Sequence, residues 1–184
     1  MSQTTKRVLE ESLKKLLLKK PLNKITISDL TEEAGISRMT FYYHFQDIYE
    51  LVEWACKEDA EKALKGKKTY DTWQEGILNI FLAVLDNKPF IMNVYHSVSR
   101  EQIEMYLFTL VYKLLFDVVA ELSEGKNIPA EDQEKIAHFY KYAFVGIMLD
   151  WVKDGMKEKP EEIVRHLSRM IHGSMENSVM NFAN

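Results

Sequence analysis

Ile25-Thr26-Ile27-Ser28-Asp29-Leu30-Thr31-Glu32-Glu33-Ala34-Gly35-Ile36-Ser37-Arg38-Met39-Thr40-Phe41-Tyr42-Tyr43-His44-Phe45 is the stretch on which the fold turns. Thr26 is a helix-capping residue type, and Asp29 stands three positions later, the spacing at which a cap and the third helical residue exchange hydrogen bonds. Gly35 stands where a helix ends in left-handed backbone, a conformation glycine takes without Cβ strain. Ser37 then caps a second short helix running from Arg38 to about Phe45. Phe41 and Phe45 lie four apart and face inward, which leaves Arg38, Met39, Thr40, Tyr42, Tyr43 and His44 to the other faces. Two short helices joined through Ala34-Gly35-Ile36-Ser37 make a helix-turn-helix.

Upstream, Val8, Leu9, Leu13, Leu16 and Leu17 recur at helical spacing between Thr5 and Lys20, and Pro21 ends that run because its ring blocks a continuing helix. Downstream, Asp47 caps a helix through Leu51, Val52, Ala55, Ala60 and Leu64 that ends near Gly66, and the boundary between head and body lies along it. Helical patterns follow over Trp73–Asp86, from Ser99 to Gly125, from Asp132 to Asp154, and from Glu161 to about Val179. Pro89 interrupts the pattern before the short segment holding Phe90, Ile91, Met92 and Val94. With 7 Gly and 4 Pro in 184 residues and no strand pattern, the fold class is all-α. The sequence divides into a three-helix head, residues 1–48, and a helical body, residues 49–184.

The chain carries a net charge of -4. Residues 1–46 hold eight basic and five acidic groups, so the first segment is +3 and the remainder -7. A basic head on an acidic body suits a protein that presents only its head to a polyanion. The same lysines, Lys14, Lys15, Lys19 and Lys20, equally suit the solvated face and last turn of the first helix. A single Cys56 excludes an internal disulfide and a thiolate cluster. His44, His96, His138, His166 and His172 show no metal-ligand spacing, and no G-x-S-x-G, Walker or G-x-G-x-x-G motif is present. We therefore expect no metal, cofactor or enzymatic activity, no membrane span, and a cytoplasmic protein.

The Ile25–Phe45 segment, joining the A-G-I-S turn to F-Y-Y-H-F behind a helix ended by Pro21, closely resembles the DNA-binding domain of TetR-family transcriptional regulators. That resemblance implies operator DNA as partner, with Arg38, Met39 and Thr40 as base readers. Arg38 can pair bidentately with guanine, and Met39 and the Thr40 methyl can touch thymine methyls. Thr26, Ser37, Tyr42, Tyr43 and His44 would bind phosphates and fix register without reading sequence. The sequence departs from the family where a lysine usually follows H-F: here it reads Gln46-Asp47-Ile48-Tyr49, which shifts that phosphate grip to Tyr49, to Lys24 or to nothing. The segment Phe139–Leu167, including Gly146, Asp150, Trp151 and Gly155, looks like the branch containing regulators of dihydroxyacetone kinase operons.

One short recognition helix discriminates poorly, so a homodimer reading a pseudo-palindrome is expected, with repression by promoter occlusion as its output. In the family the last two long helices form a four-helix bundle with their twin. Phe139, Tyr142, Ile147, Trp151, Ile163, Leu167, Met170 and Ile171 are the interface candidates, a mixed set in which sequence does not separate interface from core. The resemblance also implies a small-molecule effector held in the body, for which Phe81, Tyr95, His96, Arg100, Tyr106, Tyr112 and Tyr140 are candidates, although aromatic stripes at helical spacing equally serve as packing. The alternative function is an adaptor or co-activator whose body binds another regulatory protein.

Overall fold

The computed structural model describes residues 2–67, 69–171 and 173–183, with the side chains of Ser2, Tyr106 and Leu110 outside that description. Tyr106, an effector candidate, and His172 therefore carry no structural account. All regular structure among the described residues is helical: α1 (Ser2–Leu17), a 3-10 turn (Leu22–Lys24), α2 (Ile27–Ala34), α3 (Arg38–His44), α4 (Ile48–Ala63), α5 (Trp73–Asp86), α6 (Lys88–Ser97), α7 (Arg100–Ser123), α8 (Ala130–Lys153), α9 (Pro160–Ile171) and α10 (Ser174–Phe182).

These helices fall into two compact units, Met1–Asp59 with Asn87–Ile103, and Ala60–Asp86 with Glu104–Asn184. The division crosses α4, and the first unit also takes in α6, far along the chain. Its core explains why. Leu9, Leu13, Leu16 and Leu17 of α1, Leu30 of α2, Phe41 and Phe45 around α3, and Leu51, Val52 and Ala55 of α4 form one buried cluster with Phe90 and Val94 of α6. Asn93 donates from Nδ2 to the Leu17 carbonyl at 3.2 Å, which satisfies an otherwise open acceptor at the end of α1. Pro89 thus begins α6 within its first turn, where its missing N–H costs nothing, and does not end a helix.

A polar cluster completes the first unit. Lys14 Nζ reaches Glu10 at 2.6 Å and Asp59 at 2.8 Å and stands 5.6 Å from the Phe90 ring centroid, so one amine joins α1, α4 and α6. Glu10 is buried, and a buried carboxylate requires such a partner.

The second unit packs α5, most of α7, α8, α9 and α10 around Trp73, Ile77, Phe81, Leu114, Leu115, Val118, Phe144, Met148 and Trp151. Trp73 meets Phe144 edge-on at 5.8 Å and Phe81 meets Trp151 at 5.0 Å. Trp151 Nε1 donates to the Glu158 carbonyl at 2.8 Å, so the buried indole leaves no polar atom unpaired. The helix expected from Glu161 to about Val179 is two helices. Gly173, at φ 73°, separates α9 from α10. The apolar spacing continues across the break through Ile171, Met175 and Val179, and for that reason periodicity alone reads it as one helix.

Candidate nucleic-acid interface

The helix-turn-helix forms as its local chemistry dictates. Thr26 Oγ1 accepts from the Asp29 N–H at 3.2 Å, and Asp29 Oδ2 accepts from the Thr26 N–H at 2.7 Å, a reciprocal capping box at the start of α2. Gly35 takes φ 65°, ψ 33° and directs its N–H back to α2 carbonyls. Ser37 Oγ accepts from the Thr40 N–H at 3.1 Å and opens α3. Asp47 Oδ1 accepts from the Glu50 N–H at 2.9 Å, and Gln46 N–H donates to Glu50 Oε2 at 2.5 Å, so α4 begins with a cap of its own.

Phe41 is fully buried and Phe45 is 2 % exposed, packed 6.0 Å from the Trp54 ring. Lys6 Nζ lies 5.1 Å from the Phe45 ring and 5.6 Å from Trp54, a cation–π contact that attaches the first turns of α1 to the end of α3. Anchoring one face in this way turns the others outward. Met39 is 82 % exposed, Tyr43 83 % and Tyr42 51 %; Ser37 and Arg38 are also exposed, while Thr40 and His44 are half-buried. Tyr43 meets His44 edge-on at 5.0 Å, so these two form one aromatic ridge at the end of α3.

Charge in this unit is less uniformly positive than its sum. Lys15 and Lys19 approach Glu33 at 3.9 and 4.0 Å, and Lys20 binds Asp29 at 2.7 Å. With Lys14 held by Glu10 and Asp59, all four lysines of that run have acidic partners. Among the described residues, neither Arg38 nor Lys24 has a carboxylate within 4.0 Å, and both are exposed. The positive charge left for an external anion therefore includes the motif's own arginine. Sequence reasoning had no means of finding this, since the Lys–Glu33 and Lys20–Asp29 pairs join α1 or its trailing turn to α2.

Thr26 is more committed than its expected role as a phosphate ligand requires. Its hydroxyl donates to Asp29 Oδ2 at 2.7 Å while accepting the Asp29 N–H. The Lys20 ammonium beside Asp29, together with the Thr26 N–H and hydroxyl, lowers that carboxyl to about 2. A phosphate at this end of α2 would meet a carboxylate, and the Thr26 hydroxyl would have to leave it to donate. Tyr49, one of the residues to which the absent lysine's grip was assigned, is 40 % exposed on α4.

The body candidates divide. Phe139 and Tyr142 on α8 and Met170 on α9 are strongly exposed, and Ile147 is half-buried. Trp151, Ile163, Leu167 and Ile171 are instead buried within their own unit, so these four are core. Their apolar stripes are covered by α5 and neighbouring helices of the same chain. The effector candidates do not form one group either. Tyr95, His96 and Arg100 belong to the first unit, with Tyr95 packed edge-on against His96 at 5.5 Å. Phe81, Tyr112 and Tyr140 belong to the second. Phe81 is buried against Trp151, and the Tyr140 hydroxyl lies 2.7 Å from Ser174 Oγ and 3.0 Å from Ser178 Oγ. Tyr140 lines a shallow cavity of about 300 Å³ with Ile136, Phe139, Ser178 and Phe182. A second cleft of about 560 Å³ is lined by Asp150, Trp151, Asp154, Lys157 and Glu158 and contains none of the effector candidates.

Among the described residues no group of three His, Cys, Asp or Glu side chains could hold a metal, and no single helix is long and apolar enough to cross a membrane.

Comparison with known proteins agrees with this architecture. Residues 11–55 match the profile described as bacterial regulatory proteins, tetR family, and residues 71–173 match a transcriptional regulator C-terminal region of the same family. The HTH-type dhaKLM operon transcriptional activator DhaS of Lactococcus lactis subsp. lactis (strain IL1403) is 24 % identical over 131 residues, 71 % of this chain and 69 % of that protein. An uncharacterized HTH-type transcriptional regulator of Bacillus subtilis (strain 168), YxbF, is 27 % identical over 154 residues, 80 % of this chain but 39 % of the relative's length. Among solved structures, the dihydroxyacetone kinase operon activator DhaS superposes with TM-score 0.73 at 19 % identity, covering 98 % of both chains. NalD, the secondary repressor of the MexAB-OprM multidrug efflux pump in Pseudomonas aeruginosa, superposes with TM-score 0.62 at 15 % identity, covering 96 % of both. These relatives are regulators and not enzymes. With profile matches on the helix-turn-helix and on more than half the chain in the body, the protein belongs to the TetR family of bacterial transcriptional regulators.

Proposed function

We propose that this regulator is a sequence-specific DNA reader that acts as a homodimer on a pseudo-palindromic operator in the cytoplasm. Residues 1–48 supply the reading head and residues 49–184 dimerise and bind a small-molecule effector. The observation that carries the proposal is the orientation of α3. Phe41 and Phe45 hold it in the core while Arg38, Met39 and Tyr43 stand in solvent, and Arg38 has no acidic partner within 4.0 Å among the described residues. In this reading Arg38, Met39 and Thr40 contact base edges, Ser37, Tyr42, Tyr43 and His44 contact phosphates, and Thr26 joins them only by exchanging its bond to Asp29. Phe139, Tyr142, Ile147 and Met170 are the interface residues of the dimer. Occlusion of a promoter, and hence repression, is the simplest output of such a dimer.

The test is salt-dependent binding to the DNA flanking the protein's own gene. A regulator of this kind loses affinity steeply with salt, with a log–log slope near −0.9 for each phosphate contacted. Arg38→Ala should abolish preference for the specific duplex over a scrambled one while leaving weaker, salt-sensitive binding. Equal affinity of the parent for both duplexes at every salt concentration contradicts the reading.

A second reading has the body recruiting another regulatory protein, with activation as the outcome. It is supported by the description of the Lactococcus relative as an activator. A reporter driven by the bound promoter separates the two: deleting the gene raises expression under repression and lowers it under activation.

A further inference from the structure

In the second unit one lysine has been taken out of water without a carboxylate. Lys141, on α8, is 6 % exposed, and among the described residues no acidic group lies within 4.0 Å of its amine. Its Nζ stands 4.5 Å from the Phe108 ring centroid, 4.8 Å from Tyr142 and 5.7 Å from Tyr112. Among the described residues its polar partner is a histidine. Nζ lies 2.9 Å from His138 Nδ1, whose ring packs 4.7 Å from Tyr112. Phe108 and Tyr142 close against each other edge-on at 5.0 Å. The outer wall is thin on the side of His138, which is exposed and whose side chain rotates on short timescales, so entry does not depend on Tyr142.

Two properties distinguish this amine from the other lysines. Burial lowers its pKa from the ordinary lysine value, which raises the share of neutral, nucleophilic amine. A base is also already in hydrogen-bond contact, the arrangement in which a lysine acts as a covalent nucleophile. Burial, and then the charge of Glu134, raise the pKa of the Tyr112 hydroxyl within this cluster.

We propose that Lys141 is a covalent capture site for small aldehydes or ketones, with His138 as its proton acceptor and Phe108 and Tyr142 as the walls that hold the resulting cation. The Lys141 nitrogen lone pair adds to the carbonyl carbon as the C=O π pair moves to oxygen, and His138 accepts one proton from nitrogen and delivers it to that oxygen to give a hydroxyl. His138 then relays the second nitrogen proton to the hydroxyl, which leaves as water while the nitrogen lone pair forms the C=N bond. Amine and carbonyl compound thus give an imine and water, with nothing oxidised or reduced. The protonated imine keeps its charge over the same two ring faces that hold the ammonium. This site is independent of DNA recognition, and its test reads chemistry rather than operator binding.

The full-length protein is incubated with glycolaldehyde and sodium cyanoborohydride, which reduces an imine to a stable secondary amine, and peptide mass spectrometry follows the rate at each lysine. Lys141 should be labelled severalfold faster than the exposed Lys113 and Lys153. His138→Phe, which keeps a ring against Tyr112 but removes the nitrogen, should slow Lys141 to the rate of the exposed lysines. Lys141→Arg should remove the fast phase and leave the other rates unchanged. Labelling of Lys141 no faster than Lys113 and Lys153 in the parent overturns the proposal, as does undiminished fast labelling in a His138→Phe protein whose circular dichroism matches the parent.

Discussion

Arg38 and Tyr43 both stand on α3 but should fail differently when replaced. Arg38 offers a planar fork that fits one base edge, so Arg38→Ala should cost about 1–3 kcal/mol against the preferred base and flatten discrimination at that position. Under the proposed reading Tyr43→Phe removes a hydroxyl that would contact a phosphate and should weaken binding to every duplex alike, which parallel titrations on specific and scrambled DNA would distinguish. Asp29 supplies a third prediction at this scale. Its carboxyl is held low, to about 2, first by the Lys20 ammonium and then by the Thr26 N–H and hydroxyl. A depressed carboxyl contributes stability above its unfolded value and loses that contribution as pH falls through its folded one. Acid destabilisation from this group therefore falls between roughly pH 4 and pH 2, and NMR titration should find Asp29 ionising near the low end. Lys20→Met should move the midpoint upward; an unchanged midpoint would show that the ion pair does not hold the proton off.

At the scale of the element, the helix-turn-helix was fully legible because its determinants are local. Thr26, Asp29, Gly35 and Ser37 act on backbone groups three or four residues away, and each takes the position its type and spacing imply. Gly35 has nothing within 4 Å of a built Cβ, so Gly35→Ala meets no clash and tests backbone strain alone. Holding alanine at φ 65° should cost about 1–2 kcal/mol, read by thermal or urea unfolding. Phe41→Ala, which empties a fully buried site, should cost about 3–5 kcal/mol. The α9–α10 break was not legible. Met175 and Val179 continue the apolar period of Ile163, Leu167 and Ile171, so the pattern gave no reason to stop at Gly173. The neighbours of Phe90 were not legible either: spacing identifies it as apolar, but only the folded chain brings it to α1 and near Lys14.

For the whole molecule, the class and the family were readable while the assignment of apolar faces was not. Periodicity tells that Trp151, Ile163 and Leu167 seek cover, and it is silent on whether the cover comes from this chain or a second copy. In the folded unit they are covered, and Phe139, Tyr142 and Met170 remain in water. Under the dimer reading, Phe139→Glu with Met170→Glu should shift the protein toward monomer in analytical ultracentrifugation without changing its helical content, and should lower operator affinity by more than tenfold. An unaltered sedimentation coefficient would move the interface elsewhere. The central claim, that two copies of α3 read one symmetric site, is tested most directly by selection from a randomised duplex library followed by sequencing. The account predicts enrichment of an inverted repeat whose half-site centres lie about one helical turn, 10–10.5 base pairs, or a multiple of it apart, with the enrichment lost in Arg38→Ala. Enrichment of a single asymmetric site, or of no sequence at all, would contradict it.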